Sequence, residues 1–211
     1  MGCTSEQGSD CEHWERPTFS ATLSSYYIGK YEVTEGLWNA VMGESSYYKG
    51  ENYPVDWVSW NSVQEFITKL NSLTGKKYRL PTEAEWEFAA RGGRSSKGYK
   101  YSGSNTVGNV AWYSGNSSGS IRPVGTKAAN ELGIYDMSGN VAEWCSDWRE
   151  YYTSTAKTNP TGPSSGDYRV IRGGSINPFE LARDVRVSRR DWGRPDGGGV
   201  LPGFRLALSA N

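Results

Sequence analysis

The side chains able to do chemistry are few and thinly spread. Across 211 residues there is one histidine, His13, with three cysteines, Cys3, Cys11 and Cys145. A lone histidine removes His-based nucleophile triads and most zinc sites. Three thiols make no disulfide framework, although Cys11 and Cys145 are free to pair as far as the sequence goes. Carboxylates offer more. In GIYDMSGNVAEW, Gly133–Trp144, the side chains of Asp136 and Glu143 lie close to the backbone carbonyls of Gly139 and Val141. That is a reasonable oxygen set for calcium. The competing reading pairs Glu143 with a core arginine and lets Asp136 cap a turn. The stretch Arg169–Ala207 carries binding chemistry instead. Its ends, Arg169–Ser175 and Gly203–Ala207, read as strands, with arginines between apolar residues. Its long middle follows neither a helical nor a strand period and mixes aromatics, arginines and glycines. A long irregular segment of that composition has the character of a binding surface.

The elements that must position these residues are short. From Thr18 to Val33 the alternation predicts one or two strands. Thr34 is placed to cap a helix through Met42, stopped by Gly43. Tyr53–Trp60 is strand-like. Asn61 and Gln64 make a capping box for a helix that buries Val63, Phe66, Ile67 and Leu70 and stops at Gly75. Thr82 and Glu85 make a second box, ahead of Trp86, Ala89 and Ala90. The residues between Gly98 and Val124 read as loop. The 26 glycines suit many turns, and 9 Trp, 14 Tyr and 5 Phe supply the core. Charge is balanced at 23 basic and 23 acidic residues with no basic tract, which excludes nucleic acid as an expected partner. No apolar run is long enough for a membrane span. Residues 1–17 are polar and read as a tether, leaving one domain over 18–211. Gly2–Cys3 ahead of a polar run resembles the processed end of a bacterial lipoprotein, with Cys3 as the lipidated residue; the alternative is an incidental cysteine. Glu6 rules out the myristoylation pattern.

Six motifs together resemble the formylglycine-generating enzyme family of sulfatase-modifying factors. They are EVTEGLWNAVMG (Glu32–Gly43), YPVDWVSW (Tyr53–Trp60), RLPTEAEWEFAARGG (Arg79–Gly93), GIYDMSGNVAEW, RVIRGGS (Arg169–Ser175) and GFRLA (Gly203–Ala207). The resemblance implies an α+β domain with an elaborated C-type lectin fold: a small twisted antiparallel sheet, two main helices and much irregular loop. It also places that family's two cysteines at Asn177 and Ala182, where neither is a thiol. Amide and methyl groups cannot replace a copper-binding thiolate. The chain is more similar to the variable proteins of diversity-generating retroelements, in which rewritten C-terminal codons are displayed as a ligand site on such a fold.

That resemblance implies a non-enzymatic, surface-displayed ligand-binding protein with a variable region at about 169–207. The alternatives are an oxidase or related metal-dependent enzyme, and a purely structural surface protein. The expected contact residues are Ile176, Asn177, Phe179, Glu180, Arg183, Arg189, Asp191, Trp192, Gly193, Arg194, Gly197, Gly199, Val200, Leu201 and Pro202. Their side chains are expected to point away from the core. Val185 and Val187 are expected in the core, as in a strand. Arg172, Arg186, Arg190 and Arg205 read as scaffold, bonding carbonyls or carboxylates such as Glu85, Glu87 and Glu143. The resemblance also implies Cys3 as the lipid attachment point. Calcium at Asp136, Gly139, Val141 and Glu143 is the one cofactor it raises. The expected partner is a protein or surface glycan of another cell. The expected state is a monomer, lipid-anchored to the outer membrane at a bacterial cell surface.

Overall fold

A computed structural model describes residues 1–43, 49–197 and 202–210. Three helices follow from their caps. Thr34 accepts from Leu37 N and opens α1, Glu35–Met42. Ser59, not Asn61, caps α2, Trp60–Thr74, through Ser62 N; the helix ends on left-handed Gly75. Thr82 and Glu85 form the reciprocal box of α3, Glu83–Ala90. Each cap satisfies an amide that has no partner within its helix.

The strands are short and fall into three small sheets. β1, Ala21–Thr22, pairs in parallel with β4, Lys157–Thr158. β2, Tyr26–Ile28, pairs antiparallel with β7, Ala207–Ser209. The central sheet is antiparallel: β5, Arg169–Arg172, lies between β3, Glu143–Trp148, and β6, Arg190–Gly193. Tyr53–Trp60 is not a strand. It touches Thr34 through one bridge at Pro54 and then runs irregularly into α2. The main core lies between α2 and the central sheet, where Phe66 stacks on Trp38 and meets Phe204 edge-on. Trp86 and Trp144 are fully enclosed.

Charge is buried with the aromatics. Arg172 bonds Glu87 at 2.6 Å and Glu83 at 3.3 Å, and Arg190 bonds Glu83 at 2.6 and 2.9 Å. Arg205 holds Glu143 through two contacts of 2.6 Å. Glu85 is taken by Arg79 instead. Burial pushes the Glu87 carboxyl up, but Arg91 and Arg172 outweigh it and hold it at about 2.

The polar N-terminus is no tether. Gln7 and Glu15 are fully buried, and Glu15 meets Arg186, 171 residues away, at 2.7 and 3.0 Å. Asp10 and Trp14 offer carbonyls to Arg186 and Arg190. Gly2 N donates to Glu87, and Arg91 returns a bond to Gly2 O. The polar residues of this arm complement arginines, so they are buried rather than solvated. Cys3 is disulfide-bonded to Cys11, which leaves Cys145 as the buried free thiol. The same sulfur cannot carry a lipid thioether, so the assignment of Cys3 as lipidation site is corrected along with the tether.

Glu15→Ala would leave Arg186 buried without its counter-charge. Urea unfolding should show a loss of about 3–5 kcal/mol, against about 0.5 kcal/mol for a residue in a tether. Asp147 gives a pH signature. Burial, with Glu83 alongside, raises its carboxyl from 3.8 to about 7. The folded state therefore holds a proton that the unfolded state has released, and stability falls as pH rises through that window. Stability measured from pH 4 to 7 should fall less steeply in Asp147→Asn.

Candidate functional site

The segment after β5 is organised by its own backbone. Gly173 and Gly174 turn the chain with φ of 93° and 65°. A Cβ on Gly174 would lie 2.4 Å from Asp184 O, so only glycine fits there. Ser175 N donates to Glu180 at 2.6 Å, and Phe179 N donates to the Asn177 side chain at 3.0 Å. Leu181 N donates to Asp184 at 2.8 Å, opening a single 3-10 turn over Ala182–Val185. Ser114 Oγ ties the Glu180 carbonyl to the neighbouring loop. Val185 and Val187 are fully buried as expected, but Arg186 and Ser188 are buried too, so the segment is a packed turn rather than an alternating strand.

The expected contact residues separate into groups. Phe179 is 91% exposed, and Arg183 and Arg194 are also exposed. Ile176, Asn177, Glu180, Arg189 and Gly197 are half-buried. Asp191, Trp192 and Gly193 belong to β6, paired with Ile171, Val170 and Arg169, so the expectation that they sit in an aperiodic outward loop is corrected. The Trp192 ring lies under the Arg149 guanidinium at 3.8 Å and meets Trp14 edge-on at 5.5 Å. Pro202 is buried, while Gly199, Val200 and Leu201 lie outside the described residues. Sequence reasoning missed Leu181, which is 53% exposed beside Phe179; an apolar residue in a segment without a core period was the available signal. Nothing in the sequence pointed to Trp14.

Beneath the turn a narrow cleft of about 10 Å³ is lined by Gly173, Gly174, Glu180, Asp184, Arg189 and Asp191, among others. Arg189 reaches Asp184 at 3.5 Å. Burial raises the Glu180 and Asp191 carboxyls, with acidic neighbours adding to the effect. A space that holds about one water has no room for a substrate, so contact falls to the exposed side chains around its rim.

The oxidase positions carry no redox chemistry. Asn177 spends its side-chain oxygen on the Phe179 amide, and Ala182 begins the 3-10 turn. Cys145 is enclosed, and burial raises its thiol far from the thiolate range. The strongest ligand of the calcium set is already engaged. Glu143 gives both oxygens to Arg205 and accepts from Trp86 as well. Asp136 accepts from Gly125 N at 2.7 Å, and Val141 N turns to Glu32. The Glu32 carboxyl is raised by burial and by Asp136 and Glu143, which leaves Arg205 to balance the group. A guanidinium thus does the work that the sequence offered to calcium.

Comparison with known proteins followed the motifs. A model of the sulfatase-modifying factor enzyme 1-like domain matches residues 1–210. The chaperone protein LppX of Paenibacillus barcinonensis is 35% identical over 85% of this chain and 80% of its own length. The formylglycine-generating enzyme of Streptomyces coelicolor is 36% identical over 82% of this chain; the chain spans 59% of that enzyme. Among solved structures, Treponema denticola variable protein 1 superposes with a TM-score of 0.83 and 34% identity, covering 91% of this chain and 87% of that one.

Exposure sets the expected cost of substitution. Phe179→Ser and Arg183→Ala should each change stability by about 0.5 kcal/mol or less. Trp192→Ala removes a ring pair and a cation–π contact and should cost about 1–2 kcal/mol. Trp144→Ala, in the core, should cost about 3–5 kcal/mol. Thermal melts of the four variants should fall in that order.

Proposed function

This chain belongs to the sulfatase-modifying factor enzyme 1-like family, and we propose that it is a non-enzymatic, surface-displayed ligand-binding protein whose C-terminal region is diversified by a retroelement. One observation carries the reading. Where the family's oxidases need two thiols, this chain has Asn177 and Ala182, and around them Phe179, Leu181 and Arg183 project from a loop whose amides are held by the Glu180 and Asp184 carboxylates. Aromatic and arginine side chains on a pre-ordered loop suit contact rather than turnover. The likeness to a treponemal variable protein and the resemblance to retroelement variable proteins support the same reading. The Cys3–Cys11 bond suits an oxidising compartment outside the cytosol, where a display protein works. The ligand is a protein or surface glycan of another cell.

Two measurements test the proposal. Incubated with a cysteine-containing sulfatase-type peptide, oxygen and copper, the purified chain should make no formylglycine above a control without protein; product formation would refute the non-enzymatic reading. Deep sequencing of the gene from a passaged culture should find substitutions concentrated in codons 176–202, with codons for Arg172, Arg186 and Arg205 unchanged. An even spread along the gene would end the diversification reading.

A further inference from the structure

Among the described residues, Trp57 makes no packing contact that accounts for its type. Its backbone is pinned on both sides. Val55 N donates to Val33 O at 2.9 Å, and Val58 O accepts from Trp144 Nε1 at the same distance. Asp56 is held by Lys49 at 2.6 Å. Between these fixed points Trp57 adopts φ of 60°, the left-handed region that glycine enters freely and a bulky residue enters at a cost. Its indole gains no shelter in return, being 72% exposed. A folding requirement alone would place glycine here. A large aromatic held outward on strained backbone is instead the mark of a contact residue.

Its position joins it to the proposed ligand face. Just downstream, Asn61 N donates to Pro195 O at 3.1 Å, and Gly197 packs over Ser59. Upstream, Val55 lies directly beneath Gly203. Pro195, Gly197 and Gly203 therefore flank the Trp57 turn, and Arg194 and Asp196 stand exposed there, while Lys49, exposed as well, holds the largely buried Asp56 beside Trp57 in the chain. An apolar aromatic rimmed by charges of both signs is the anatomy of a protein contact.

We propose that Trp57 is a fixed anchor of the ligand face, on which an apolar segment of a partner protein packs, while the neighbouring variable residues set which partner is held. The inference rests on the ligand-binding reading above and adds to it the class of partner and a residue outside the variable region.

The test separates the two. A phage-displayed library of random twelve-residue peptides is panned against the wild-type chain, and the affinities of the selected peptides are measured on wild type, Trp57→Gly and Phe179→Ser. Glycine relieves the backbone strain while loosening the unfolded chain, so the melting temperature of Trp57→Gly should stay within about 2 °C of wild type. The selected peptides should be rich in apolar residues and should bind Trp57→Gly at least about tenfold more weakly. A melting temperature lower by about 10 °C would make Trp57 a packing residue and overturn the proposal. So would a library without binders, or peptides that hold Trp57→Gly within about twofold of wild type. Peptides lost on Phe179→Ser but kept on Trp57→Gly would leave the variable-site reading standing and remove this one. Peptides lost on Trp57→Gly but kept on Phe179→Ser would support the anchor and count against Phe179 as a contact. A glycan array giving Trp57-dependent binders where peptides give none would overturn the class of partner.

Discussion

A guanidinium cannot be buried without acceptors, and Arg172 is buried completely. Glu83 and Glu87 of α3 meet it from one side, and the carbonyls of Val187 and Ser188 meet it from the other. That single requirement fixes α3 against β5 and fixes the far end of the variable segment against its beginning. Glu83 then serves Arg190, and Glu87 serves Arg91 and the amide of Gly2. The charges form a continuous network in which removal of one member strands its neighbours. Such networks contribute less to net stability than to uniqueness of arrangement, since the cost of desolvation nearly cancels the attraction. Here the network leaves the loop after β5 with one seat.

The sequence was most legible where a local rule and a long-range one agreed. Thr82 and Glu85 announced α3 by their spacing, and the same Glu85 also faces Arg79. The C-terminal arginines were recognisable as scaffold because their neighbours are the motifs of the family. The N-terminal arm was illegible for the converse reason. Gln7 and Glu15 are polar, and polarity in a terminal segment reads as exposure until its partner is known. That partner, Arg186, is too distant in sequence for any periodicity to reveal. β6 was hidden by its length, because the four residues of RDWG are too few to show an alternation. The oxygen-rich motif around Asp136 suited either calcium or a core arginine at Glu143, and the arginine that satisfies Glu143 lies sixty-two residues further on.

The ordering of the loop also explains how much freedom it has. Most of its fixing bonds run through main-chain amides, which any residue but proline supplies. Glu180, Asp184, Ser175 and Asn177 are exceptions, since their side-chain oxygens hold Ser175 N, Leu181 N, Asn177 N and Phe179 N in turn. The exposed side chains of Phe179, Leu181 and Arg183 bear no such duty. Chemical variety is therefore available within a peg-and-span arrangement whose shape does not depend on what the span carries.

The reach of the N-terminal arm has a consequence for synthesis. Glu15 emerges from the ribosome long before Arg186, and Glu143 before Arg205, so the buried acids wait for cations supplied by the last stretch of the chain. A product that stops early, or shifts frame in its C-terminal codons, leaves those carboxylates without counter-ions and the arm without a seat. It cannot reach the compact state and is left to proteolysis. The fold thereby checks its own synthesis: only a chain read through to β7 closes over its acids.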